Sequence, residues 1–216
     1  MQVLKFGGSS VANAENMAKV VDIVVNAVDR DRTILVSSAI SGCTDTLIKI
    51  GTLASQRDES YKGLIDELQQ KHHVIIRDFL PHEKQAESQE VCDSLFDSLR
   101  SIAQGVFLLG ELSPASLDAI QGFGELWSTK ILATKLASIG ISTKWIDSRN
   151  IIRTVAKGDK NIVDVQKTYS RVNEMVDSNP ITQLFVLPGF IASDKQGRTT
   201  TLGRGGSDYT ALIFIN

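Results

Sequence analysis

Two glycine-rich segments have the composition of anion-binding turns. Gly7-Gly8-Ser9-Ser10 follows a short apolar run near the start of the sequence, and Gly205-Gly206-Ser207-Asp208 follows another run near its end. Glycine lets backbone N–H groups approach a ligand closely, and the N-terminus of a following helix adds positive potential. Lys5 precedes the first segment and Arg204 precedes the second. One Gly-Gly pair could be a tight turn and nothing more, but two with adjacent cations favour a phosphate or carboxylate site.

Hydroxyl side chains form a second group of candidates. Ser38, Ser41 and Thr44 lie on or just after a predicted strand, at the end where open α/β sheets gather ligands. Their hydroxyls can bind carboxylate or phosphate oxygens. Thr44 could equally be the N-cap of the helix that follows it, and the local sequence leaves both interpretations open.

Two acidic residues could hold a cation. Glu125 follows a glycine-broken turn between two predicted helices and has apolar neighbours, so it either faces solvent or holds an ammonium group or a metal. Asp208 could pair with Arg204, a contact worth little on a surface. Cys43 lies near the hydroxyl residues and could be accessible, whereas Cys92 falls in a helical stretch and is expected to be inert.

Several common catalytic signatures are absent from the sequence. It has no G-x-x-x-x-G-K-[ST] phosphate loop and no G-x-G-x-x-G after a strand, which excludes the P-loop and the Rossmann fingerprint. It also lacks the G-x-S-x-G elbow of α/β hydrolases. The three histidines do not have the spacing of metal ligands, so we predict no metal site built by the protein.

The elements that must position these residues alternate between strand and helix. Apolar residues at three- and four-residue steps predict helices over 17–28, 61–80, 95–109 and 126–138, with Asn13 as a cap for the first and Ser113-Pro114 starting a further helix. Short apolar runs predict strands at 3–6, 34–36, 143–147, 184–187 and 190–192, followed by a hairpin turn at 194–197 and a returning strand at 199–202. This alternation predicts an α/β sandwich with right-handed crossovers.

Composition narrows the class of protein. The 216 residues suit one large domain or two small domains that share a core. A net charge of −2 and an aromatic content of 6% argue against a nucleic-acid partner. Two cysteines suit a reducing compartment, and no apolar run approaches the roughly 20 residues of a membrane span. We therefore expect a soluble, cytoplasmic protein without a signal peptide.

Four motifs resemble those of the aspartokinases, in the amino acid kinase superfamily. KFGGSSV from Lys5 resembles the family's K-F-G-G-[ST]-S-V, and SAISGCTD from Ser38 resembles its S-A-x-x-G-x-T-[ND] loop. GELWS from Gly124 is similar to G-E-x-x-S, and TLGRGGSDYTA from Thr201 to T-L-G-R-G-G-S-D-[YF]-[ST]-A. The motifs occur in the family's order across nearly the whole sequence.

The resemblance implies a fold and a reaction. The fold would be a three-layer αβα sandwich of the carbamate kinase-like type with a mainly parallel central sheet. The reaction would be ATP-dependent phosphorylation of the side-chain carboxylate of L-aspartate to 4-phospho-L-aspartate, the first step toward lysine, methionine and threonine. Mg²⁺ would be bound to the nucleotide phosphates.

The same resemblance assigns roles to the candidate residues. Lys5 and the backbone N–H groups of Gly7, Gly8 and Ser9 would stabilise the transferring phosphoryl group. Lys5, Gly7, Gly8, Gly205 and Gly206 would contact the nucleotide. The aspartate site would comprise Ser38, Thr44, Glu125, Arg204, Ser207 and Asp208. In that site Glu125 and Asp208 suit the ammonium group, and Arg204 suits a carboxylate.

One departure from the family is expected to matter. In aspartokinases the segment that holds adenine and ribose follows the last motif, and regulatory ACT domains follow the kinase domain; the given sequence ends at Asn216 with neither. We therefore expect residues 1–216 to be the substrate-binding part of a kinase domain with an incomplete sheet. The parent could be a bifunctional aspartokinase–homoserine dehydrogenase and is expected to be a homo-oligomer. A non-catalytic aspartate-binding or regulatory module, or a kinase for another carboxylate, remain alternatives.

Overall fold

A computed structural model describes residues 1–158 and 160–215, so Asn216 at the end of the apolar terminal run lies outside the described residues. The strands are β1 (Gln2–Phe6), β2 (Thr33–Ser37), β3 (Thr143–Trp145), β4 (Thr154–Lys157), β5 (Lys160–Val163), β6 (Leu184–Pro188), β7 (Ile191–Ser193) and β8 (Thr199–Thr201). The helices are α1 (Ala14–Val28), α2 (Cys43–Ser55), α3 (Tyr61–Phe79), α4 (His82–Leu109), α5 (Pro114–Gln121), α6 (Phe123–Ser138), α7 (Ser148–Ile151), α8 (Val165–Asp177) and α9 (Gly206–Ile215).

The central sheet is parallel, with strand order β1-β2-β6-β3. Its two inner strands, β2 and β6, are buried along their whole length. Side chains alternate between the two faces of a strand, so neighbouring residues enter different cores. Leu35 packs with helices α1–α6 on one face, whereas Ile34 and Val36 pack with α7–α9 on the other. The predicted three-layer αβα sandwich is confirmed.

The helix predictions hold where the apolar period is regular. The Asn13 side chain accepts a hydrogen bond from the Asn16 N–H at the start of α1, and the Ser113 side chain accepts one from the Ser116 N–H at the start of α5. Helix α3 ends before Pro81, which cannot supply the N–H that would continue it. Among the described residues, no helix combines the length and apolarity that crossing a membrane requires.

Several elements begin or exist where the sequence did not indicate them, and helix α4 is one of them, because it begins at His82, before the predicted range 95–109. Helix α6 begins at Phe123, three residues earlier than the predicted position near 126, so Glu125 lies in its first turn and not in a break between helices. The β4–β5 hairpin and helix α8 were not predicted. By contrast, the β7–β8 hairpin with its turn at 194–197 is confirmed as an antiparallel pair.

The carboxyl ends of the parallel strands β1, β2 and β6 lie at the same edge of the sheet. A 3-10 turn (Gly8–Val11) follows β1, the loop from Ser38 to Gly42 follows β2, and Gly189 with Phe190 follows β6. Ligands of open α/β sheets bind in the crevice outside the carboxyl ends of the strands. The fold therefore gathers the glycine-rich and hydroxyl-rich segments at one place.

Candidate functional site

A cleft of about 420 Å³ lies at this edge of the sheet. Of the residues predicted from sequence, its wall contains Lys5, Gly8, Ser38, Ser41, Thr44, Glu125, Arg204, Gly205, Gly206, Ser207 and Asp208. Gly7 and Ser9 belong to the same turn but do not form part of the wall. Residues from both ends of the sequence and from its middle therefore meet in one cleft.

Lys5 and Asp208 connect the two glycine-rich segments. Lys5 Nζ lies 2.8 Å from Asp208 Oδ1, which joins the end of β1 to the first turn of α9. The suggested pairing of Asp208 with Arg204 is therefore wrong, because the fold brings Lys5 closer. Arg204 is exposed and has no hydrogen-bond or ion-pair partner in residues 1–158 and 160–215, so its guanidinium group is available to a ligand.

The turn before α9 presents the N-terminus of that helix to the cleft. Gly205 has a φ of 74°, in the left-handed region that favours glycine, and the Tyr209 N–H donates to its carbonyl oxygen at 3.0 Å. The N–H groups in the first turn of a helix lack intrahelical partners, so they can bind an anion. The guanidinium group of Arg204 and a helix N-terminus are thus adjacent in the wall.

Glu125 is the buried carboxyl group of the cleft. Its residue is 3% exposed, and Oε1 accepts a hydrogen bond from the Ala39 N–H at 3.1 Å. Oε2 is buried without a partner among the described residues. Burial raises the pKa of Glu125 to about 8, and the Ala39 hydrogen bond opposes this shift. A carboxyl group with one unpaired oxygen in a cleft is suited to an ammonium group, whose positive charge would favour the ionised carboxylate and which would supply the missing hydrogen bond.

The hydroxyl residues are held by an internal network. Ser38 Oγ donates to Ser207 Oγ at 2.9 Å, and Ser128 Oγ on α6 donates to the Ser38 carbonyl oxygen at 2.7 Å. The N-cap of α2 is Gly42, so the capping alternative for Thr44 is wrong. The Thr44 hydroxyl lines the cleft and has no hydrogen-bond partner in the part of the sequence that the structure describes.

Sequence reasoning missed Phe190, which also lines the cleft. Its φ of 67° is in the left-handed region, where a non-glycine residue is strained. The Phe190 N–H donates to Thr210 Oγ1 at 3.0 Å, and its carbonyl oxygen accepts from the Leu202 N–H at 2.8 Å, so both ends of the residue are fixed. The Pro188-Gly189 pair before it could have indicated a turn, but not its proximity to α9.

Cys43 does not contribute to the site. The residue is fully buried, and burial together with the Glu125 carboxylate raises the pKa of its thiol well above the usual range. The suggestion that Cys43 is accessible is therefore wrong, and Cys92 is buried as well. Within residues 1–158 and 160–215, no group of three or more His, Cys, Asp or Glu side chains could hold a metal ion.

Comparisons with known proteins point to one family. The sequence model of the amino acid kinase family matches residues 1–214. The bifunctional aspartokinase/homoserine dehydrogenase 2 of Arabidopsis thaliana (chloroplastic) is 30% identical over 98% of this chain and 23% of its own length. The lysine-sensitive aspartokinase 3 of Escherichia coli K12 is also 30% identical, over 98% of this chain and 45% of its own length.

A solved structure gives the same result. The crystal structure of E. coli aspartokinase III in complex with aspartate and ADP matches with a TM-score of 0.87 and 28% identity. The match covers 99% of this chain and 46% of that one. This chain therefore spans less than half the length of these relatives.

Proposed function

The chain belongs to the amino acid kinase family, and from this premise we propose that its cleft is the L-aspartate site of an aspartate kinase. One observation carries the proposal: the wall of the cleft contains both the buried carboxyl group of Glu125 and the guanidinium group of Arg204, and among the described residues Glu125 Oε2 has no hydrogen-bond partner and Arg204 has no ion-pair partner. An amino acid with an ammonium group and two carboxylates needs such opposite charges. The similarity to an aspartokinase solved with aspartate and ADP supports this substrate.

In this proposal the aspartate is held by charge and by hydroxyl groups. Glu125 Oε2 accepts a hydrogen bond from the substrate ammonium group, and Asp208 Oδ2 is a second acceptor for it, because the ion pair with Lys5 is made by Oδ1. Arg204 binds a carboxylate through two parallel N–H donors. The hydroxyls of Thr44 and Ser207 are donors for the remaining carboxylate oxygens, and Ser38, whose one hydroxyl proton is donated to Ser207 Oγ, orients the Ser207 hydroxyl.

Lys5 and the glycine-rich turns suit the phosphoryl donor. ATP with Mg²⁺ would supply the phosphoryl group, and its transfer to the side-chain carboxylate would give 4-phospho-L-aspartate. The Lys5 ammonium group and the backbone N–H groups of Gly7, Gly8 and Ser9 would stabilise negative charge on that group, which is the main catalytic contribution in phosphoryl transfer. Gly205 and Gly206, at the N-terminus of α9, would contact the nucleotide phosphates.

A second candidate is a module that binds aspartate without catalysis. It is favoured by the charges of the cleft, because Glu125 and Arg204 suit an amino acid without any contribution from a phosphoryl donor. In that case the aspartate contacts above would be retained and no phosphoryl group would be transferred.

Hydroxylamine trapping and calorimetry test both candidates. The chain is incubated with ATP, Mg²⁺, L-aspartate and hydroxylamine, which converts an acyl phosphate to a hydroxamate; L-aspartate binding is measured separately by titration calorimetry. Hydroxamate formation would establish the kinase, and binding without hydroxamate would establish the binding module. Arg204→Met should weaken the binding of L-aspartate; if folded wild-type protein gives no heat with L-aspartate, or if Arg204→Met binds it as wild type does, the aspartate site is refuted.

A further inference from the structure

A second cavity, of about 280 Å³, lies between α4, α6 and β3 and shares no residue with the aspartate cleft. Helix α6 contributes Trp127, Lys130 and Thr134 to it, at the three- and four-residue steps of one helical face. Glu125 falls on the opposite face of the same helix, since α-helices repeat every 3.6 residues. The cavity is therefore separate from the aspartate site.

Its wall is mainly apolar and includes two indole rings. Trp127 is 1% exposed and stacks on Phe96 with ring centroids 4.0 Å apart. Trp145 on β3 forms another part of the wall, and its indole N–H donates to Thr129 Oγ1 at 2.9 Å. Ligand pockets are lined in this way, by aromatic and apolar side chains with a few polar groups. The volume of this cavity is at the lower end of the range of such pockets, which starts at about 300 Å³.

One hydrogen-bond donor in this wall, the Lys130 ammonium group, has no acceptor among the described residues. Its Nζ lies 3.7 Å from the centroid of the Trp145 ring, and no carboxylate of residues 1–158 and 160–215 lies within ion-pair distance of it. Burial lowers the pKa of Lys130, although the Asp147 carboxylate opposes this effect. The ammonium group would gain from an acceptor that carries negative charge.

The remaining charges at the cavity do not supply that acceptor. Glu87 is the carboxylate of the wall, and its Oε2 lies 3.5 Å from Lys84 Nζ. That pair is neutral overall, so Lys130 leaves the wall with a positive charge.

We propose that this cavity binds a small aromatic carboxylate, with its ring against the apolar wall and its carboxylate accepting a hydrogen bond from Lys130. The apolar side chains suit the ring, and the carboxylate supplies the acceptor that the Lys130 ammonium group lacks among the described residues. The proposal does not depend on the function of the aspartate cleft.

Intrinsic fluorescence reports on this site directly, because both tryptophans of the sequence lie in the cavity wall. The probe is the anion phenylacetate. Two compounds of similar shape are the controls: 2-phenylethanol, which is uncharged, and 2-phenylethylamine, which is positively charged. We expect a saturable change with phenylacetate and binding of the alcohol that is weaker by about tenfold or more. Equal binding of the acid and the alcohol, or no saturable change with the acid, overturns the proposal.

Matched variants locate the binding site. Lys130→Met should weaken phenylacetate binding by about tenfold, and Ala137→Leu, which places a larger side chain in the cavity wall, should abolish it. Lys135→Met changes a lysine of the same helix outside the cavity and should bind normally. Arg204→Met, in the other cleft, should also bind phenylacetate normally. Circular dichroism shows whether Lys130→Met and Ala137→Leu are folded. If Arg204→Met abolishes binding, or if the two folded cavity variants bind phenylacetate as wild type does, the ligand is not in this cavity and the proposal fails.

Discussion

Glu125 keeps a carboxyl group almost out of water with only one of its two oxygens hydrogen-bonded. A structural hydrogen bond to Ala39 would not require an acidic side chain, since an amide oxygen can accept the same bond. Burying an ionisable group in the wall of a cleft lowers the free energy of unfolding, and a bound cationic ligand would offset this loss. Residues of this kind lower the stability of the protein and improve ligand binding.

The raised pKa of the buried Glu125 carboxyl group predicts a specific pH dependence of stability. The pKa of Glu125 is about 8 in the folded protein, against 4.5 for a free side chain, so between these values the folded state holds a proton that the unfolded state has released. The free energy of unfolding should therefore fall as pH rises through this window. In urea titrations at pH 5 and pH 8.5, wild type should lose more stability than Glu125→Gln by at least about 1 kcal/mol. Glu15→Gln, at an exposed position, should follow wild type; parallel curves for all three proteins would contradict the prediction.

Lys5 is predicted to act on phosphoryl transfer and not on aspartate binding. Lys5→Ala should lower hydroxamate formation by about 100-fold or more, because it removes a charge aimed at the reacting group. The loss of its partly exposed ion pair with Asp208 should change the Kd for L-aspartate by less than about threefold. Lys19→Ala, which breaks an exposed pair on α1, is the control and should leave both quantities unchanged. Retained turnover in Lys5→Ala would remove Lys5 from the mechanism.

The identities of the charged residues could be predicted from the sequence, but their partners could not. Lys5 and Arg204 precede glycine-rich turns, which is a local pattern. Asp208 contacts Lys5 because strand β1 and helix α9 become neighbours in the fold, although more than 200 positions separate the two residues. The burial of Glu125 likewise depends on the packing of α6 against the loop after β2. Long-range contacts of this kind leave no periodic signal in the sequence.

At the scale of elements, the cleft depends on a close approach between the end of β6 and the start of α9. Gly189 follows β6, and a Cβ at this position would lie 2.6 Å from Ser207 Oγ and 2.7 Å from Ser207 Cβ. No side chain fits in that space without moving α9. The glycine therefore fixes the distance between the strand and the helix that presents Ser207 and Asp208 to the cleft.

Gly189→Ala should consequently weaken both the fold and the site. We expect a loss of about 1–3 kcal/mol in the free energy of unfolding from overpacking, and loss of L-aspartate binding as α9 shifts. Gly63→Ala on α3 is the matched control, because a Cβ there meets no atom within 4 Å and alanine is the better helix former by about 1 kcal/mol. Urea titration and calorimetry measure the two effects. Normal aspartate binding in Gly189→Ala would show that the cleft does not depend on this contact.

The elements predicted correctly are those whose own periodicity is strong. Helices α1 and α3 have apolar faces at regular steps, and their ends are marked by Asn13 and Pro81. The start of α6 was misplaced because its glycines suggested a break, whereas Gly124 is required by packing: a Cβ there would lie 2.6 Å from Ala39 Cβ. The strands of the β4–β5 hairpin have four residues each and only two apolar residues each, so their pattern did not distinguish the hairpin from a loop.

At the scale of the whole molecule, two hydrophobic cores share one sheet. The first core lies between the sheet and helices α1–α6, and the second lies between the sheet and α7–α9. Strands β2 and β6 contribute alternate residues to each core, so neither core can lose its sheet face without affecting the other. The alternation of strands and helices predicted this sandwich, because a parallel sheet must be covered on both faces.

The shared sheet predicts that the described layers unfold together. Met175 on α8 is buried in the second core, whereas Trp127 and Trp145 lie on the α6 side of the sheet and report on the first. Met175→Ala should cost about 2–5 kcal/mol and lower the urea midpoint equally by tryptophan fluorescence and by far-ultraviolet circular dichroism. Val74→Ala, at an exposed position on α3, should leave both midpoints close to wild type. If Met175→Ala lowers the midpoint by circular dichroism but not by fluorescence, the α8 layer unfolds independently of the first core. The cleft at the sheet edge, whose wall contains the first turn of α9, would then be lost before the first core unfolds.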